Sequence, residues 1–250
     1  MRPKIFCIGL SRTGTTTFNA LMGQLGLLAR SGPSGLGLAL HELGRFEDIC
    51  QIIEPYDCLC DLPYPLLYRQ LAERYPDSRF VLTTRSSEDK WLESLRNLNL
   101  RNGPTDAFRI AYGCYEVSGH EDRLREVYRA HNEGAREFFG DSNRFVEVCW
   151  ERGDGLEKIA RLLDIDPRGL SVPVANASVD KNSRGIAARH CDKSRFGAAA
   201  RYARSTGQAD EVLALINRRV DSKLKRFLTW SAPKAKLLRL NLRGRKRPPD

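Results

Sequence analysis

The sequence predicts an α/β fold: a three-layer sandwich with a mainly parallel sheet, helices on both faces, and a basic C-terminal helical tail. Three observations carry this. Short apolar runs at residues 5–8, 57–61, 79–84 and 144–150 alternate with segments of helical period. Their spacing leaves room for a helix between successive strands, which is how parallel strands are connected. The first run also passes through a glycine-bounded loop, from Gly9 to Gly14, directly into a helical pattern.

In chain order, residues 5–8 (Ile-Phe-Cys-Ile) read as a buried strand. The following helix places Phe18, Leu21, Met22 and Leu25 at helical spacing. Residues 29–37, rich in Gly, Ser and Pro, read as a loop, and residues 38–53 as one helix. Residues 57–61 (Asp-Cys-Leu-Cys-Asp) form a short strand closed by Leu62-Pro63. Pro65 opens a helix with Leu66, Leu67 and Leu71 as its apolar positions, ending near Tyr75-Pro76. The strand at residues 79–84 ends at Arg85, and Ser86 or Ser87 caps a helix carrying Trp91, Leu92, Leu95 and Leu98. No element is assigned to residues 104–118. A helix at 121–139, a strand at 144–150 and a helix at 153–163 complete the pattern, with Asp166-Pro167 after it.

The 250 residues suffice for one sizeable core, and nothing demands two. The division expected is a domain over residues 1–217 and a basic tail over 218–250. A chain 41% hydrophobic and 29% charged fits a globular protein, and no apolar run reaches membrane-spanning length. The N-terminus enters the first strand so early that no signal peptide is expected. Seven cysteines without C-x-x-C spacing fit free buried thiols in a reducing compartment, hence a cytoplasmic protein. Cys58-x-Cys60 lacks a companion pair, so zinc is not expected. The net charge of +10 resides in residues 218–250, which hold twelve Lys/Arg and two Asp; the preceding residues balance to zero.

The glycine-bounded loop carries the chemistry. A strand, a tight loop and a helix N-terminus aim unpaired N–H groups at one point, where the helix dipole favours an anion. Gly9 and Gly14 allow close backbone approach, and Ser11, Thr13, Thr15 and Thr16 add hydroxyls, so the expected guest is a phosphate. The standard nucleoside-triphosphate loop places Lys directly after its second glycine, followed by a hydroxyl for Mg²⁺. Here Thr15 occupies that position and the only loop cation is Arg12. This suits a donor whose transferring group carries less charge than a γ-phosphate and needs no metal clamp. The plain alternative is a strand–turn–helix junction without a ligand. In parallel sheets ligands bind beyond the carboxyl ends of the strands, where the loop, Asp61, Arg85, Trp150 and Glu151 all fall.

These residues resemble the P-loop sulfotransferases that use 3′-phosphoadenosine 5′-phosphosulfate, especially the soluble bacterial and fungal type. The resemblance rests on three blocks in order. Residues 6–17 (Phe-Cys-Ile-Gly-Leu-Ser-Arg-Thr-Gly-Thr-Thr-Thr) are similar to the first loop. Residues 61–94 are similar to a D-x-P, strand, Arg and W-x-x-S block. Residues 128–163, from Tyr128 with His131-Asn132 and Phe138-Phe139 onward, resemble the third. The resemblance implies a P-loop NTPase-like fold and a transfer from that donor to a small-molecule, lipid or glycan acceptor. It implies that the loop binds the 5′-phosphate, with Arg12 at the leaving group, and that Arg85 and Ser94 hold the 3′-phosphate. It also puts Asp61 where related enzymes place a base. Two departures stand out: Arg85 and Ser94 are nine residues apart where eight is commoner, and Val174 replaces the His of a late F-P-H-x-N motif.

Other readings compete. Arg85 could pair with Asp61 or Glu88, Ser94 could sit on a solvated helix face, and Asp61 could cap the helix near Pro63. Trp91 suits the core better than an adenine stack, and His41, His131 and His190 suit structural roles. The tail suits a solvated basic end or, alternatively, an anionic membrane surface, giving a membrane-peripheral protein; the lack of aromatic interleaving disfavours nucleic acid. A Mg²⁺-dependent phosphotransferase and a non-catalytic nucleotide-binding or interaction module are the rival functions. The acceptor pocket is expected from residues 29–45, 100–120 and the segment after Val172.

Overall fold

Residues 3–32, 34–153 and 155–173 are described by a computed structural model. Val174, His190 and the basic tail lie outside the described residues. Five parallel strands form one sheet, and helices cover both faces, as the alternating pattern predicts. The strands are β1 (Ile5–Cys7), β2 (Ala29–Ser31), β3 (Cys58–Cys60), β4 (Arg79–Thr83) and β5 (Phe145–Val148), in spatial order β2-β3-β1-β4-β5. β1 lies at the centre, with Ile5 opposite Cys58 on one side and Phe6 opposite Phe80 on the other. The chain leaves β1 toward β2 and leaves β4 toward β5, so the connections diverge at the β1–β4 crevice. That is the place where such sheets receive ligands.

Alternation along the strands sorts the core. Phe6, Leu59, Phe80 and Leu82 face α3 (Phe46–Ile53), α4 (Tyr68–Arg74) and α7 (Glu121–Phe139), where Phe139 stacks on Phe145 at 4.9 Å between ring centroids. Ile5, Cys7, Cys58 and Val81 face α1 (Thr15–Gln24) and α8 (Gly155–Leu163). A third cluster joins Leu10, Leu38, Leu62, Trp91, Leu95 and Tyr112 over the carboxyl edge. It draws on α2 (Ser34–Glu42), α5 (Glu88–Asn102) and α6 (Asp106–Tyr112). The six described cysteines are buried, and none is in a disulfide. No helix of the described residues is long and apolar enough to cross a membrane.

The structure corrects several elements. Residues 29–37 are not all loop: Ala29–Ser31 is the edge strand β2, paired in register with Cys58–Cys60, and α2 begins at Ser34. Residues 38–53 are two helices, α2 and α3. Gly44, at φ 68°, ends the first, with its N–H bonded to the His41 carbonyl and that of Arg45 to Leu40, a Schellman closure that the apolar pattern alone does not reveal. The segment opened near Pro65 is a 3₁₀ turn (Tyr64–Leu66) followed by α4. Within 104–118, Thr105 caps α6 by accepting the Phe108 N–H at 3.0 Å. Ser87, rather than Ser86, caps α5. β5 stops at Val148, leaving Trp150 in a 3₁₀ turn, and α8 starts at Gly155.

His131 ties α7 to the end of β1, its Nε2–H donating to the Ile8 carbonyl at 2.7 Å with the ring edge-on to Tyr68. Burial lowers its pKa from the ordinary 6.5, and the Ile8 contact only partly opposes this. A depressed folded-state pKa means full stability above 6.5 and a loss as the pH falls below it, because the unfolded chain then binds a proton that the folded one refuses. Urea unfolding should therefore show wild type losing more stability between pH 7.5 and 5.5 than His131→Gln does.

Candidate active site

The loop after β1 is shaped by contacts beneath it. Thr13 Oγ1 donates to the Leu10 carbonyl at 2.7 Å and lies 2.7 Å from Thr83 Oγ1, so Thr83 is the donor in that pair. The Cys7 thiol in turn contacts Thr83 Oγ1 at 3.5 Å. Burial pushes that thiol up to about 12, against the lowering effect of Thr83, so it stays protonated and can donate. A chain of donors thus runs from β1 through β4 into the loop. A Cβ on Gly9 would stand 2.0 Å from Thr83 Oγ1 and 2.4 Å from its carbonyl oxygen. Gly14 sits at φ 98° against the Trp150 ring, where a Cβ would meet Cδ1 at 2.3 Å and Nε1 at 2.6 Å.

These contacts sort the predicted site residues. Thr13, expected to face the ligand, is buried and spends its hydroxyl and its N–H inward on Leu10. Ser11 is half-buried at the rim, its carbonyl accepting from Trp91 Nε1 at 3.0 Å. Trp91 itself is fully buried and stacked on Tyr128 with ring centroids 4.5 Å apart, so it belongs to the core. Gly14 and Thr15 open α1, and Thr16 is half-buried on its first turn. Arg12 adopts φ 74°, a left-handed conformation uncommon outside glycine. Its Nε donates to Ser94 Oγ at 3.0 Å, so the loop cation and the α5 hydroxyl meet. Burial lowers the Arg12 pKa, repulsion from Arg101 and Arg85 adds to this, and Asp61 opposes it.

Arg85 pairs with neither Asp61 nor Glu88. Its guanidinium meets Glu151 at 3.0 Å, and its N–H donates to the Tyr128 hydroxyl at 2.8 Å. Glu151 also accepts the Ser86 N–H at 2.9 Å and the Ser86 hydroxyl. Burial raises the Glu151 pKa, but the Ser86 hydrogen bonds and the Arg85 and Lys90 charges bring it below the usual carboxylate value. Asp61, at the end of β3, is also left-handed at φ 66°. One carboxylate oxygen accepts from Thr15 Oγ1 at 2.5 Å and the other from Ser31 Oγ. Its side chain caps no helix, since the following 3₁₀ turn has no side-chain cap.

Three further residues surround the site; the sequence places Trp150 at the same edge, and Ser31 and Tyr112 only within the segments expected to form an acceptor pocket. Ser31 reaches Asp61 from β2, hidden in a segment read as loop. Tyr112 presents a buried hydroxyl against Ser11 without closing a well-formed hydrogen bond, and burial raises its pKa. Trp150 covers Gly14 with a buried, unpartnered Nε1. Arg85 Nε is likewise buried without a partner. Buried polar atoms are normally satisfied, so three orphans around one helix N-terminus suit a polar guest.

Residues 4–180 match the family described as "Sulfotransferase domain". The chain belongs to the sulfotransferase domain family. A fungal relative, "Ava biosynthesis cluster protein M" from Aspergillus versicolor, is 26% identical over 114 residues, which is 38% of this chain and 42% of that protein. The chain thus spans less than half the length of this relative. The matched family covers all five strands of the sulfotransferase domain and every site residue named above.

The contacts at Gly9 set a strict test of the loop. Gly9→Ala forces Thr83 backbone and side chain apart and should cost about 3 kcal/mol or more in urea unfolding. Gly23→Ala is the control: it lies in α1 with open space around its Cβ and should be neutral or stabilising.

Proposed function

We propose that the protein transfers a sulfuryl group from 3′-phosphoadenosine 5′-phosphosulfate to a hydroxyl or amine of a small-molecule, lipid or glycan acceptor. One observation carries the reading: the Arg12–Ser94 hydrogen bond brings together, beside Arg85, cationic and hydroxyl groups from separate parts of the chain. The orphaned Arg85 Nε, Tyr112 hydroxyl and Trp150 Nε1 fit a guest rich in acceptor oxygens. The donor supplies the activated sulfuryl group. The amides opening α1, with Thr15 and Thr16, hold its 5′-phosphate, and Arg12 sits where charge develops on the leaving group. Arg85 and Ser94 hold the 3′-phosphate, with Glu151 fixing the plane of the Arg85 guanidinium.

Asp61 is the base in this reading. Each carboxylate oxygen accepts one hydroxyl, from Thr15 or Ser31, and keeps a lone pair for the proton of the acceptor. The two hydroxyls hold the carboxylate in place.

Calorimetry separates this reading from its rivals. 3′-Phosphoadenosine 5′-phosphate should bind without metal, and Arg85→Ala should weaken it more than tenfold, about 2 kcal/mol. Binding of ATP only with Mg²⁺, and none of the bisphosphate, would replace the reading with a phosphotransferase; binding of neither would leave an interaction module. Asp61→Asn should lower kcat about a hundredfold or more while bisphosphate affinity stays unchanged. Unaltered turnover would remove Asp61 as the base.

A further inference from the structure

We infer that the far end of α5 carries a subsite for an anionic group on the acceptor, read by Arg101, so that the acceptor is an amphipathic acid. The inference rests on the sulfotransferase reading for the placement of the donor. Arg101 lies seven residues beyond Ser94, two helical turns along the same face and about 10 Å further down the axis. Ser94 faces the loop, since it accepts from Arg12. The Arg101 side chain leans back toward the helix N-terminus, hence toward that contact, and its charge adds to the repulsion felt by Arg12.

α5 therefore orders three functions along its length. Arg85 precedes its first turn, Ser94 with Arg12 marks its middle, and Arg101 its end. In that reading the donor's 3′-phosphate lies between Arg85 and Ser94 and its leaving group at Arg12, which Ser94 contacts. The third lies past the transferring group, on the acceptor's side. Arg101 is exposed, and among the described residues its guanidinium is engaged only through Nε, which donates to the Asn97 carbonyl at 3.2 Å. No described carboxylate pairs with it, whereas Arg85, Arg96, Arg109, Arg125 and Arg129 each have one.

Between Ser94 and Arg101 the same face carries half-buried Leu98, and α6 adds the unpartnered Tyr112 hydroxyl over Ser11. Leu100, beside Arg101, is among the most exposed apolar residues. A ligand spanning this stretch meets a polar end at the loop, an apolar middle and a cation at the far end. The matching chemistry is a hydroxyl or amine on an apolar body that carries a carboxylate, sulfonate or phosphate.

Two fluorescent probes of nearly the same shape test this. 8-Anilinonaphthalene-1-sulfonate carries an anion, and N-phenyl-1-naphthylamine is its neutral counterpart. On protein saturated with 3′-phosphoadenosine 5′-phosphate, wild type should bind the sulfonate saturably and about tenfold more tightly than the amine. Arg101→Gln should abolish that preference and leave the amine and the bisphosphate bound as before. A preference that survives the substitution, or one that wild type never shows, overturns the inference. So does an equal loss of bisphosphate affinity, which would move Arg101 to the donor. If wild type fails to bind the bisphosphate, the donor assignment falls, and the same comparison on the free protein decides the Arg101 subsite by itself.

Discussion

A buried relay of donors holds this site in shape: the Cys7 thiol to Thr83, Thr83 to Thr13, and Thr13 to the Leu10 carbonyl. It ties the central strand to its neighbour and draws the loop down into the crevice between them. Gly9 has no side chain because the Thr83 backbone and hydroxyl already fill that space. With Thr13 pulled inward, the adjacent Arg12 takes a left-handed conformation and projects outward to Ser94. Gly14, also left-handed, then starts α1 beneath Trp150. A polar relay in a core is costly unless complete. Here its members are satisfied in sequence, ending on a backbone carbonyl.

The two residues proposed to do the chemistry, Arg12 and Asp61, are also two of the three non-glycine residues with positive φ among those described. The third, Asp164, follows the C-terminus of α8, where a left-handed residue simply ends a helix. Holding such a conformation costs on the order of 1 kcal/mol and persists only where the surroundings over-determine it. Asp61 is held by Thr15 and Ser31, each from a different element. Arg12 is held by Ser94, and its neighbour Ser11 by the buried Trp91. Trp91 matters to the site without touching a ligand: it locks the loop to α5.

The strands β1, β3, β4 and β5 were legible because each contains buried apolar residues flanked by turn signals. β2 was not, because Ala-Arg-Ser at an edge owes its extended form to the β3 ladder, which lies 29 residues further along. The break between α2 and α3 hides inside a continuous apolar pattern, since a Schellman closure needs only Gly44. The places of Arg12, Asp61 and Arg85 at the carboxyl edge were legible from the loop and the strand ends, whereas Ser94 was singled out only by the resemblance of its W-x-x-S block. Thr13 was misread because a row of loop hydroxyls looks alike in sequence, and backbone dihedrals decide which turn inward. Ser31 and Tyr112 fell inside segments expected to line an acceptor pocket, but their elements were not recognised, so nothing singled out either residue.

Glu151 raises a question of purpose, because a carboxylate beside an arginine proposed to bind a phosphate would oppose that phosphate. The Arg85–Glu151 pair is about 29% and 27% exposed, so its own contribution to stability is small. Its geometric effect is larger. Glu151 engages one edge of the guanidinium, while the Tyr128 hydroxyl accepts from the Arg85 backbone and Ser86 steadies the carboxylate. Nε is left buried and unpartnered. An incoming phosphate can then take that N–H without breaking the pair, and it meets a guanidinium that has already lost its rotational freedom. Glu151 therefore gives up some Coulombic attraction in exchange for orientation. In the proposed transfer that exchange is favourable, because a donor held too tightly leaves a product that departs slowly, whereas a donor held in one orientation would keep its reacting end aligned between Arg12 and Asp61.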